Sequence, residues 1–222
     1  MNHISAPSHP RLPGRPGKDE VDGALLLLRA AEAAFARSGF QSATIRGIAR
    51  EAGVNHALIS HHFGSKEALW AAVMDRLANY LAPFIAQLRR LQAQTAPPIR
   101  ARVEAAFRIL VDVVHGEPDC GALLSRIGAE RGAAFELLAD KLLRPFHGAL
   151  FPILAEGQEA GVLARQDMEI FYFMVFTGVI AALASRPVLA SLSPASRSLD
   201  ELKDGVVDFL LTNFIQNNQR GE

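Results

Sequence analysis

Apolar residues along this chain recur with the period of a helix, and no stretch shows the strict alternation of a strand. The clearest run is Val103, Ala106, Phe107, Leu110, Val111 and Val114, one stripe at i, i+3, i+4, i+7, i+8 and i+11. Pro97-Pro98 precedes that helix, and His115-Gly116 with Pro118 ends it. Upstream, the pattern predicts a first helix over Asp22–Ser38, a second over Thr44–Ala52, a short third over Asn55–His61 and a long fourth from about Ser65. Downstream it predicts a short helix over 119–131 and a longer segment over 133–160, broken or kinked at Pro145 and Pro152. Two further helices follow, Asp167–Ser185 and Ser198–Asn217, joined by a loop through Pro187 and Pro194. The expected fold is all-α.

The most specific stretch is 44–70, TIRGIAREAGVNHALISHHFGSKEALW. Thr44 suits a helix N-cap, and Ile45, Ile48, Ala49 and Ala52 fall on one face of the helix behind it. Gly53 stands where the chain must stop and reverse, a conformation that glycine reaches without a Cβ penalty. Val54, Leu58 and Ile59 give the next helix its apolar contacts, while Asn55, His56, Ser60, His61 and His62 form a polar row. Ser65 is placed to cap the following helix. Two short helices crossing at a glycine turn make a helix-turn-helix, whose second helix enters the major groove of DNA.

The sequence around this motif resembles the TetR family of transcriptional regulators. The likeness starts near Leu27 and runs through Ser38-Gly39-Phe40, Thr44-Ile45-Arg46-Gly47-Ile48-Ala49 and Glu51-Ala52-Gly53-Val54. It ends with His62-Phe63-Gly64-Ser65-Lys66-Glu67-Ala68-Leu69. Ser60 and Ala57 stand where the family often has Tyr and Gly. The resemblance implies a homodimer that reads a pseudo-palindromic operator and carries a small-molecule effector in its helical body. It implies most directly a repressor that the effector releases from DNA. The boundaries that follow are an arm over 1–20, a DNA-binding head over 21–66, a helical effector-binding and dimerisation body over 67–217, and a tail over 218–222.

Charge adds to this picture. The net charge is zero, from 23 basic and 23 acidic residues. Residues 1–66 hold eight Lys/Arg against five Asp/Glu, a local +3, so the remainder carries −3. That division suits a DNA-facing head and a different task elsewhere. Half of the residues are apolar, as in helices packed on more than one side. A single cysteine, Cys120, argues against a disulfide framework, and residues 1–20 lack the apolar core of a secretory signal. The apolar run from Ile170 to Ala184 is shorter than the roughly 20 residues a bilayer span needs. A cytoplasmic protein with no membrane association is therefore expected.

The candidate residues fall into four groups. Thr44, Arg46, Asn55, His56, Ser60, His61, His62 and Lys66 are expected at DNA: Thr44, Lys66 and His62 on phosphates, and Asn55, His56, Ser60 and His61 at base edges or adjoining backbone. Arg11, Arg15 and Lys18 lie in a Pro/Gly-rich stretch that either reaches into a minor groove or serves as a solubilising tail. A ligand cavity is expected among Phe107, Leu110, Val111, Leu123, Ile127, Leu142 and Phe146, with Arg126 and His147 as its polar contacts. Phe173, Phe176, Ile180, Phe209 and Leu210 are expected at a dimer interface, because the helix over 170–184 is apolar around most of its circumference.

Other chemistry has little support in the residues. His56 and His61 are five positions apart, about 140° around a helix, whereas a metal clamp wants ligands at i and i+4. Arg108, Asp112, His115, Cys120, Arg126, Glu130 and His147 interrupt the apolar body and read mainly as solvated faces and ion pairs, with a minority expected to line a cavity. No nucleophile elbow, phosphate loop or Cys-x-x-Cys is present, so neither catalysis nor a cofactor is expected. The alternative function is a helical small-molecule binder or enzyme whose head no longer reads DNA.

Overall fold

In the computed structural model, residues 18–126, 130–192 and 198–216 are described, and all named elements are helical. They are α1 (Lys18–Ser42), α2 (Ile45–Glu51), α3 (His56–Phe63), α4 (Lys66–Ala93), α5 (Ile99–Gly116), α6 (Pro118–Ser125) and α7 (Gly132–Leu138). Then come α8 (Arg144–Glu159), α9 (Met168–Ala184), α10 (Arg186–Leu192) and α11 (Leu199–Phe214). Arg11, Arg15, Ile127 and the tail 218–222 lie outside the described residues, as does the side chain of Lys18.

The first helices are set by local signals. Thr44 Oγ1 accepts the Gly47 N–H at 3.1 Å, Asn55 Oδ1 the Ala57 N–H at 2.9 Å, and Ser65 Oγ the Ala68 N–H at 3.1 Å. Each cap satisfies an amide that the first helical turn leaves without a partner. Gly53, at φ 69°, and Gly64, at φ 78°, make the reversals between α2, α3 and α4. α1 starts earlier than its periodicity predicts and is bent at Gly39, whose φ of 75° and ψ of 168° are not helical. The last turn of α1 continues beyond that bend.

The prolines are accommodated in three different ways. Pro145 does not break the segment 133–160; the five residues before α8, Ala139–Leu143, widen into a π-helical turn. Proline has no N–H to return to the carbonyl four residues back, and the wider turn accommodates the mismatch. Pro152 lies inside α8, which runs through it. Pro187 sits in the first turn of α10, where its missing N–H costs nothing, so a helix stands where a loop is predicted.

α5 forms the centre of the body. Its stripe of Val103, Ala106, Phe107, Leu110, Val111 and Val114 is buried, and the helix packs against α4, α6, α8, α9 and α11. Arg102, also buried on α5, donates to Glu156 of α8, with one bond at 2.8 Å. α1 packs along α6 as well as α4, so the first helix rests directly on the body. A buried charge lies in that contact: Glu32 of α1 pairs with Arg76 of α4, which also reaches Glu117 at 3.4 Å. Among the described residues no helix is long and apolar enough to cross a membrane.

A candidate DNA-reading face and a ligand cleft

α3 buries one side against the helices that carry it. Ile59 is fully buried and Leu58 partly so, which turns His56, Ala57, Ser60 and His61 outward together. Asn55 and Thr44 are exposed at the starts of α3 and α2, with Arg46 exposed in the first turn of α2. Asn55 and Thr44 have each committed an oxygen lone pair to capping, so what they offer outward is the Asn55 amide nitrogen, the Thr44 O–H donor and the helix N-termini themselves. Those ends concentrate unpaired N–H groups and the positive end of the helix dipole, a setting that favours a phosphate. The surface therefore combines a polar, hydrogen-bonding helix face with two anion-accepting helix ends.

Two residues of the expected set are placed otherwise. Lys66 turns inward: its ammonium donates to the carbonyls of Gln41 at 3.1 Å and Ala43 at 2.9 Å and lies 4.5 Å from the centre of the Phe40 ring. It closes the end of α1 and is not poised for phosphate. His62 is half-buried, packed edge-on against His61 and beside Phe63. Among the described residues no group of three or more His, Cys, Asp or Glu could hold a metal ion.

In the body, the residues expected to border a cavity mostly fill the core instead. Phe107, Leu110, Val111, Leu123, Leu142 and Phe146 are buried and closely packed with one another's helices. Periodicity marks a face that leaves water, which in these helices is the face that packs. Space is found one layer outward, between α6, α7 and α8 on one side and α9 on the other. There a cleft of about 830 Å³ is lined by Leu124, Phe135, His147, Tyr172, Phe176 and Ile180, with Ser125, Glu130, Arg131 and Arg144 among its polar groups. That volume lies in the range of small-molecule sites. Of the expected lining, His147 is present, stacked on Phe151 at 4.7 Å and edge-on to Tyr172 at 4.6 Å. Its Nε2 lies 3.4 Å from the Glu169 carboxylate. Arg126 instead stands near the bend of α1, its Nε 3.9 Å from where a Cβ on Gly39 would be.

Tyr172 and Glu130 are missing from the residues singled out for the cleft. Burial, with Glu169 nearby, pushes the Tyr172 phenol well above its ordinary pKa, so it remains a neutral hydroxyl. The one aromatic hydroxyl in an otherwise apolar helix was the available signal for Tyr172. Glu130 belongs to the polar interruptions of the apolar body, which do not by themselves say which member faces a cavity. Of the other polar interruptions, Asp112 pairs with Lys203 at 2.7 Å, and the His115 Nε2 lies 3.0 Å from the Asp200 carboxylate.

The unfilled side of α9 extends beyond this cleft. Phe173, Thr177 and Ala181, which border the cleft, and Ile170, Met174 and Gly178 next to them follow one another at helical spacing, all exposed except the half-buried Thr177. Phe173 is 62% exposed, Met174 67%, and Phe209 on neighbouring α11 57%. A groove of about 630 Å³ runs between α9 and α11 beside them. Phe176, Ile180 and Leu210 from the expected interface face inward and are buried in the core. They sit two or three positions from exposed neighbours in helices apolar on both sides, where hydropathy alone does not choose the outer face.

A glycine-turned helix-turn-helix riding on a larger helical body is the architecture of a ligand-responsive class of bacterial transcription regulators. Residues 27–73 match the family described as bacterial regulatory proteins, tetR family. It is 28% identical over 198 residues to the HTH-type transcriptional dual regulator CecR of Shigella flexneri, covering 85% of this chain and 87% of that protein. The crystal structure of HlyIIR, a hemolysin II transcriptional regulator, superposes with a TM-score of 0.65 at 20% identity, over 89% of this chain and 99% of that one. FadR of Bacillus subtilis in complex with stearoyl-CoA superposes with a TM-score of 0.54 at 16% identity, over 86% and 99% of the two chains. The chain is a DNA-binding transcriptional regulator of the TetR type.

Proposed function

We propose that two copies of this chain form a two-fold dimer that occupies a pseudo-palindromic operator as a repressor, and that a small molecule in the 830 Å³ cleft releases it. The observation that carries this reading is the outward row His56, Ser60 and His61, flanked by two capped helix ends on a rigid scaffold. Thr44, Arg46 and Asn55 complete that face, with His62 at its margin. Repression needs only that a tightly held dimer exclude the polymerase; activation needs a further surface to recruit it.

The dimer follows from the uncovered apolar stripe on α9 and from Phe209. Gly178 and Ala181 within the stripe allow a second α9 to come close, with α11 alongside. Reading two successive major grooves requires heads about 34–36 Å apart, which one copy cannot supply. The cleft is the effector site because it combines aromatic and aliphatic walls with a few polar groups, the usual composition of a small-molecule site. The solved relative bound to stearoyl-CoA supports ligand binding by this fold. Its ligand does not set the chemistry of this cleft. A cytoplasmic setting agrees with such a role.

Transcription reconstituted with the purified chain tests the sign. Adding the chain to a template bearing its operator should lower the transcript from the adjoining promoter. A rise in transcript would make it an activator, and no change would remove the regulatory reading.

A further inference from the structure

The stretch 130–135 is a wall of the cleft and at the same time a clasp on the head. Glu130, Arg131, Gly132 and Phe135 line the cleft. From its buried position, 5% exposed, Glu130 accepts the Phe40 N–H at 2.9 Å, a bond across 90 residues of sequence. Four residues on, the Ala134 carbonyl accepts the indole N–H of Trp70 at 3.2 Å. Trp70 meets the rings of Phe35 edge-on at 4.9 Å and Phe40 at 5.4 Å.

The bend in α1 is shaped to this clasp. At Gly39, φ 75° turns the chain so that the next amide faces Glu130, and a Cβ there would stand 2.7 Å from the Glu130 carboxylate. Beyond the bend, the Gln41 and Ala43 carbonyls are held by Lys66, which begins α4 directly behind the DNA-reading helix. The line from the cleft to the head is therefore Glu130, Phe40, the last turn of α1, then Lys66. A second buried polar link between α1 and the body, Glu32 with Arg76 and Glu117, has no residue in the cleft wall.

We propose that the 130–135 strap couples the cleft to the head, with Glu130 as its positioning residue. This rests on the cleft being the effector site. An occupant that fits better with the strap displaced draws Glu130 away from the Phe40 amide and frees the last turn of α1, and with it the seating of α3. The occupant acts through its preference for the displaced strap, not through tight binding as such.

The test uses the full chain and a stand-in occupant. A Ser125→Cys variant places a thiol in the cleft wall, where alkylation with N-phenylmaleimide adds an apolar ring. Cys120 is buried, with its thiol pushed up to about 12, and does not compete near neutral pH. Amide hydrogen exchange over residues 38–43, measured without DNA, is the readout. Alkylation should speed it roughly ten- to a hundredfold, the factor for losing one hydrogen bond to a charged group. Glu130→Ala should reach the same rate without alkylation and respond no further. Glu130→Gln keeps an acceptor oxygen and should remain slow until alkylated. Unchanged exchange over 38–43 on alkylation, or a full response to alkylation in Glu130→Ala, would overturn the coupling. Because no DNA is present, failure of the chain to bind an operator would count against the regulator reading and leave the exchange result standing.

Discussion

Replacing Phe173 with glutamate should split the dimer and leave each copy folded. An aromatic side chain presents about 150–250 Å². With 62% of Phe173 exposed, roughly 100–150 Å² per copy remains to be covered by a partner. At about 25 cal/mol per Å² that burial is worth about 2.5–4 kcal/mol per copy, and a two-fold interface counts it twice. Incomplete cover by the partner reduces this sum, so we take about 4 kcal/mol, a thousandfold in the dissociation constant. A carboxylate set against the apolar stripe of the mate adds its own desolvation cost in the same direction. Sedimentation velocity at micromolar concentration should show parent dimers and Phe173→Glu monomers, with the same helical circular dichroism. Phe176→Glu provides the contrast. Phe176 is 6% exposed, stacked on Tyr172 at 5.7 Å and 6.0 Å from Phe146, so a charge there should unfold the body. A Phe173→Glu protein that remains dimeric would refute the assigned interface.

Three further outcomes are expected. Arg46→Ala should weaken binding to all DNA sequences alike and reduce the slope of log affinity against log salt by about one, whereas His56→Ala should change base preference in a binding-site selection. Lys66→Ala removes the group that holds the Gln41 and Ala43 carbonyls, so it should lower the melting temperature of the free protein, by several degrees for about 1–2 kcal/mol; an unchanged melting temperature with lost salt dependence would restore Lys66 to the phosphates. Burial, aided by Glu32 and Glu117, raises the Cys120 thiol from 9.0 to about 12. The folded state thus keeps a proton that the unfolded chain gives up above pH 9, and this contribution to stability is present below pH 9 and lost as pH rises toward 12. Denaturant midpoints for the parent should fall across that window, and those for Cys120→Ala should fall less.

The head was legible in the sequence because its determinants are local. Thr44, Asn55 and Ser65 cap helices within three residues of themselves, and Gly53 and Gly64 reverse the chain where they stand. Lys66 shows where local reading ends: it has the look of a surface cation at a helix start, yet its partners lie more than twenty residues upstream. The cleft is a further step removed. The α5 stripe announces burial, but whether a buried face meets a neighbour or a void depends on how α6, α7 and α8 stand off from α9. The same holds for Phe173 and Phe176, equally apolar and three positions apart, one uncovered and the other in the core. Glu130 finds Phe40 only once α1 lies against α6.

A footprint of the purified chain on the DNA flanking its own gene is the most direct test of operator reading by a dimer. The account predicts protection of a pseudo-palindrome whose half-sites are centred about one helical turn, 34–36 Å, apart or a multiple of it, lost in the Phe173→Glu monomer at the same concentration. Binding to all fragments alike, or to none, with the chain folded and dimeric, would contradict it.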